Sequence, residues 1–138
     1  MLKIYIETPQ TMELYRNEFI TAKKIFYPDF DIEKEPHIRV DKATIHLSNC
    51  KQDETIPLEV LVYNDGHKPL IVEKIHTSCT CLEQHKYNEK IVINPQSSFP
   101  IKFYFTPDIK GEMYREIFIA SNAINMPILH IDILAEGI

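Results

Sequence analysis

The sequence predicts an all-β fold, an antiparallel two-sheet sandwich of about seven strands preceded by one N-terminal amphipathic helix. Three observations carry that reading. Among 138 residues there are 21 Ile and 5 Val against 5 Ala, with seven Phe and seven Tyr, and branched and aromatic side chains suit a pleated, half-buried surface. Apolar residues recur with a period of two over most of the chain after residue 37. Strands alternating with helices, the pattern of a parallel α/β sheet, are absent.

Length and charge bound the rest. A chain of 138 residues is of single-domain size and can bury about two thirds of its unfolded surface. Hydrophobic residues at 44% and charged ones at 25% place it with soluble globular proteins, and no apolar run is long enough to span a membrane. Fifteen basic against twenty acidic residues leave a net charge of −5. That sign opposes the counterion release that dominates nucleic-acid affinity, so nucleic acid is not an expected partner. The three glycines, Gly66, Gly111 and Gly137, write neither a phosphate loop nor a dinucleotide fingerprint. A nucleophile elbow and a His-Glu-x-x-His helix are also missing. The chain is expected not to be an enzyme, and no catalytic residue or cofactor is assigned.

Residues 1–9 lack the apolar core of about seven or more residues that a secretory leader needs. Thr8 then caps a helix with Pro9 in its first position, and Met12, Tyr15, Phe19, Ala22 and Phe26 recur at spacings of three and four, predicting a helix over residues 9–25. Its stripe has two uses, packing on its own sandwich or docking on a partner. Pro28 ends it. An acidic connector follows, with Asp29, Asp31, Glu33 and Glu35 alternating up to Pro36. These carboxylates lack the glycine and ligand offsets of a calcium loop and read as a solvated face. The domain reading is therefore residues 1–36 as helix and connector, and 37–138 as the sandwich.

From His37 the period is two. Ile38 and Val40 alternate, as do Ile45 and Leu47, and then Ile56, Leu58, Val60 and Val62, up to the turn triplet Asn64-Asp65-Gly66. Further strands are predicted over residues 70–75, 91–93, 99–105, 112–120 and 128–135. Phe99, Phe103 and Phe105 read as core, with Tyr104 on the opposite face. Pro100 predicts an edge strand or a bulge, because a proline removes a ladder donor.

The residues between these strands carry a resemblance. Asn64-Asp65-Gly66, Pro69-Leu70-Ile71-Val72, Ser78-Cys79-Thr80-Cys81, Ile93-Asn94-Pro95, Phe105-Thr106-Pro107, Gly111 and Ile119-Ala120-Ser121-Asn122-Ala123, in that order, resemble the bacterial domain-of-unknown-function family numbered fifteen seventy-three. The resemblance runs from about His37 to Gly137. It departs at Gln96, where the family usually has glycine after the proline. It implies a Hydin- or PapD-like immunoglobulin sandwich and an exported or lipid-anchored habitat, and no activity. The expected location is extracytoplasmic if a leader has been removed, with a lipid anchor then open to it, and cytoplasmic otherwise.

Cys79 and Cys81, flanked by His76 and His85, are the sharpest chemical feature. Thiolates with imidazoles are ligands for copper(I) or zinc. A regular strand holds the two cysteines roughly 6 to 7 Å apart on one face, and a disulfide needs Cβ atoms about 4 Å apart. The pair bonds to itself only on an irregular backbone. Two readings stay open, reduced half-buried residues at a strand end and a metal or redox centre. Cys50, in the polar stretch Ser48 to Asp53, reads as an incidental loop thiol. The expected function is a non-catalytic, extracytoplasmic immunoglobulin-like module that binds another protein. The alternative is a thiol-dependent metal-binding or redox protein using Cys79, Cys81, His76 and His85.

Overall fold

A computed structural model describes residues 31–138. The chain divides into two compact units, Met1–Glu33 and Lys34–Ile138, and nearly all described residues belong to the second. The helix predicted over residues 9–25, and its stripe, lie outside the described residues. Of the acidic connector, Ile32–Lys34 forms a single 3₁₀ turn.

Among the described residues the period-two patterning becomes nine strands rather than about seven: β1 (Ile38–Val40), β2 (Thr44–Cys50), β3 (Ile56–Asn64), β4 (Leu70–Thr77), β5 (Leu82–Gln84), β6 (Val92–Ile93), β7 (Ser97–Phe105), β8 (Gly111–Ser121) and β9 (Ile128–Gly137). They form a four-stranded sheet ordered β1-β3-β7-β5 and a five-stranded sheet ordered β2-β9-β8-β4-β6. Residues of one parity point inward from both. Val60, Val62, Ile101, Phe103 and Phe105 meet Leu70, Val72, Ile117, Ile119, Ile131 and Ile133, and all of these are buried. Phe103 and Phe105 are core as their spacing predicts, and Phe99 packs half-buried at its margin.

Three features differ from the expectation. The strand that the sequence conceals is β5, three residues too short to show a period. The sandwich is also not wholly antiparallel, because β2 runs parallel to β9. Asp41, just past β1, still bonds to β3: its N–H donates to the Leu61 carbonyl at 3.1 Å and its Oδ1 accepts from the Leu61 N–H at 3.0 Å. From there the chain passes to the other sheet as β2. The third difference is Cys50, which is no loop thiol. Asn49 adopts φ 55° and the register shifts between Leu47 and Cys50, a bulge that turns Cys50 inward at 2% exposure.

Pro100 lies within β7, which is flanked by β3 and β5 and is not an edge strand. Its position is nevertheless locally an edge, because β5 pairs only with Phe103 to Phe105. On that open side the Tyr87 hydroxyl donates to the Pro100 carbonyl at 3.3 Å and accepts from the Lys102 N–H at 3.0 Å. The missing proline donor therefore faces away from β3, and the β3–β7 ladder runs unbroken past it.

Asn64, fully buried at the end of β3, joins the elements around it. Its Oδ1 accepts from the N–H groups of His37 at 3.3 Å and Gly66 at 2.9 Å. Its Nδ2 donates to the carbonyls of Lys68 at 2.8 Å and Ile93 at 3.0 Å. Gly66 follows because a Cβ there would collide with the Glu35 carbonyl oxygen and lie 2.8 Å from the His37 nitrogen. Gln96 takes φ 60°. Its side chain donates to the Asp65 and Gly66 carbonyls at 2.8 and 2.9 Å, which offsets the left-handed backbone. Asn64→Ala leaves four backbone groups short of a partner, two of them in buried bonds and two in part-buried ones. It is expected to lower stability by about 2–4 kcal/mol, read as a fall in the urea midpoint at unchanged slope.

Candidate functional site

The crossing from β4 to β5 takes the chain from one sheet to the other, and the cysteines occupy that crossing. Backbone bonds tie both ends. The Ser78 N–H donates to the Glu116 carbonyl at 3.0 Å, the Leu82 N–H to the Cys79 carbonyl at 3.1 Å, and the Thr106 N–H to the Cys81 carbonyl at 2.8 Å. The tight turn brings the Cα atoms of Cys79 and Cys81 to 5.1 Å, and the two residues form a disulfide. This is the irregular backbone that such a bond requires.

Arg115 stands beside it. Its neighbours of like parity on β8, Met113, Ile117 and Ile119, are buried, so its position is an inward one at the end of the core. The side chain is only 18% exposed. Its Nε donates to the Cys81 Sγ at 3.2 Å, its NH2 to Asp108 Oδ1 at 2.8 Å and its NH1 to the Tyr114 carbonyl at 2.9 Å. Cys81 packs against the core, while the Cys79 sulfur accepts from the Cys81 N–H at 3.1 Å. Sequence reasoning missed Arg115, although a charged residue at an inward position of a strand was a visible signal.

Of the four residues proposed as ligands, Cys79 and Cys81 meet and the two histidines join neither them nor each other. His76 is on the outer face of β4, where it lies opposite Phe118. His85 is past the end of β5 in the other sheet, with Nδ1 at 3.0 Å from the Tyr104 hydroxyl and its ring edge-on to Tyr87 and Tyr104. The crossing between sheets separates them. Among the described residues, the ligand-type group around the cysteines contains Asp108 and neither histidine. In the bonded state neither sulfur is a thiolate, the form that binds soft metals.

A second polar cluster lies on the outer face of the five-stranded sheet. His130 Nε2 sits 3.1 Å from Asp132 Oδ1 and 3.5 Å from Glu116 Oε1, and its ring stacks on Phe118 at 4.8 Å. The Tyr114 hydroxyl donates to Asp132 Oδ1 at 2.6 Å. That bond, then one to Glu116, holds the phenol proton and pushes the Tyr114 pKa well above its ordinary value of 10. Next to it, Tyr114 and Leu134 face outward at 49% and 38% exposure. They line an open depression of about 610 Å³ with His46, Glu112 and Glu136. Among the described residues no helix is long and apolar enough to cross a membrane.

The chain belongs to the family described as "Protein of unknown function (DUF1573)", whose model matches residues 38–133. The curated proteins contain no match. Among solved structures it is similar to a protein of unknown function from Porphyromonas gingivalis W83, with TM-score 0.65 and 17% identity over 80% of this chain and 50% of that one. The chain thus spans half the length of that protein. It is also similar to a PapD-like domain of human CEP192, with TM-score 0.55 and 11% identity over 100% and 96%. The YadV chaperone matches with TM-score 0.54 and 14% identity over 72% and 51%. At these identities the likeness is one of fold.

Two measurements check the site. A thiol reagent should find no fast-reacting group in the native chain, two after mild reduction, and a third, Cys50, only on unfolding. The raised Tyr114 pKa means that the folded state holds the phenol proton more tightly than the unfolded one. Its contribution to stability is therefore full below the ordinary tyrosine pKa and lost as pH rises through the folded one. Asp132→Asn should bring the Tyr114 titration midpoint down, as followed by NMR.

Proposed function

We propose that the chain is a non-catalytic interaction module that holds an extended, basic segment of another protein against the outer face of its five-stranded sheet. The observation that carries this reading is the depression around Tyr114 and Leu134. Its floor is apolar and aromatic, the composition of a binding hot spot. Its rim is anionic, because Glu112 and Glu136 stand directly opposite each other across β8 and β9. Like charges in that relation are unfavourable, and a cationic side chain from a partner relieves the repulsion. The hydrogen bond from Tyr114 to Asp132 holds the ring in place before binding, which lowers the ordering cost.

The outer edge of β2, unpaired among the described residues, lies beside the depression, since His46, Leu47 and Ser48 also line it. An extended segment can pair its backbone there while its side chains enter the hollow. A net charge of −5 favours the same class of partner. Work outside the cytoplasm is part of the proposal, and the Cys79–Cys81 bond supports it, because disulfides persist in oxidising compartments.

A panel of extended peptides with alternating Lys and apolar residues tests the reading. Binding should shift the amide resonances of Glu112, Tyr114, Leu134 and Glu136. Leu134→Glu, and separately Glu112→Lys with Glu136→Lys, should each weaken it about tenfold or more, with melting temperatures nearly unchanged because these residues are at the surface. Peptides that shift no resonance on this face, or that bind the charge-reversed chain equally well, would overturn it.

A further inference from the structure

The Cys79–Cys81 bond has a chemical asymmetry that a structural crosslink does not require. We propose that it is a thiol–disulfide exchange site in which an external thiolate attacks the Cys79 sulfur and Cys81 leaves as a thiolate held by Arg115. This reading is independent of the peptide surface on the sheet face.

Three observations converge on it. First, the bond joins residues two apart in sequence. On chain-entropy grounds a loop that small constrains the unfolded chain roughly half as much as a fifteen-residue loop. As a staple it therefore stabilises the fold less than a bond closing a longer loop would. Second, both cysteines in the β4–β5 crossing are partly buried and keep some exposure to solvent. The third cysteine, Cys50, is buried elsewhere. Third, the two sulfurs differ in surroundings. Cys81 packs on the core and accepts from the Arg115 guanidinium at 3.2 Å. Cys79 has a neutral amide donor from its own turn.

A permanent cation hydrogen-bonded to a sulfur stabilises its thiolate more than a neutral amide does. Exchange is faster when the departing thiolate is the better stabilised one. Arg115 thus selects which S–S partner leaves. The arginine is itself held by Asp108 and by the Tyr114 carbonyl, so the donor is in position before the reaction.

The step balances as follows. The attacking thiol gives its proton to solvent, and its sulfur forms a bond to Cys79 Sγ. The Cys79–Cys81 bond breaks, and its electron pair remains on Cys81 Sγ beside the guanidinium. A second thiolate then attacks the external sulfur of the mixed disulfide. The products are one oxidised external disulfide and the reduced Cys79/Cys81 pair. Run in reverse, the reduced Cys79/Cys81 pair takes up the disulfide of an oxidised partner and releases it as two thiols. The co-reactant is a thiol in the forward direction and a disulfide in the reverse.

The test uses the full chain. Incubation with reduced glutathione, acid quenching, alkylation and mass mapping should place the glutathione adduct on Cys79 and the alkyl group on Cys81. Arg115→Gln should slow the exchange about tenfold and remove the preference for Cys79, a readout that a merely structural role would not move. Arg115→Lys, which keeps the charge, should retain most of both. A parallel arm with a reduced, unfolded cysteine-containing polypeptide separates a protein thiol from a small one as the faster co-reactant. Adducts spread evenly over the two cysteines, or found on Cys81, would overturn the proposal. So would an unchanged rate in a folded Arg115→Gln chain. The adduct position in the unsubstituted chain decides the matter even where Arg115→Gln does not fold.

Discussion

Four hydrogen bonds from one buried amide hold this sandwich in register. Asn64 closes β3, and its side chain reaches the start of β1 at His37, the turn at Gly66, the approach to β4 at Lys68 and β6 at Ile93. Since β6 belongs to the five-stranded sheet and β1 and β3 to the other, the amide bridges the two layers where their strands end. An unsatisfied amide at that depth costs more than the bonds it makes are worth individually. The arrangement therefore holds only when all its parts are in place. Gly66 without a Cβ, and Gln96 with its donors on the Asp65 and Gly66 carbonyls, are consequences of that closure.

Two other asparagines do the same at the seams. Asn122 accepts from the Ile71 N–H and donates to the Pro69 carbonyl, joining the end of β8 to the start of β4. Asn125 accepts from the Ile38 N–H and donates to its carbonyl, so the β8–β9 loop serves as a further pairing partner for β1. Side-chain amides that copy a backbone's donor and acceptor let edge residues be satisfied where no strand can reach. The β4–β5 crossing is held by other means, with backbone bonds at Ser78, Leu82 and Thr106 and the inward-set Arg115.

Opposite ends of the hydrophobic alternation serve different purposes. Its inward residues build a continuous core, and Arg115 breaks that series at its margin, where a guanidinium can be half-buried against a carboxylate and a sulfur. Its outward residues leave Tyr114, Leu134, His130 and two facing glutamates on an open sheet. A single strand, β8, therefore contributes to both the disulfide corner and the sheet-face depression, one from each of its faces.

Strand position and inner face were legible in the residues, because successive side chains in a strand point to opposite sides whatever the strand later pairs with. Phe103, Ile131 and Ile133 were therefore identifiable as core, Asn64-Asp65-Gly66 as a reversal, and the order of turn motifs as that of the family. Which strands lie side by side is a property of the whole, set by total burial and pairing. The parallel partnership of β2 with β9, the inward turn of Cys50 at a bulge and the local edge at Pro100 were decided there. The separation of His76 from His85 was decided in the same way, since each histidine follows its strand into a different sheet. Cys81 and Arg115 lie 34 residues apart in sequence. No local periodicity connects them, and only the packing of β5 and β8 around one core end sets a cation against that sulfur.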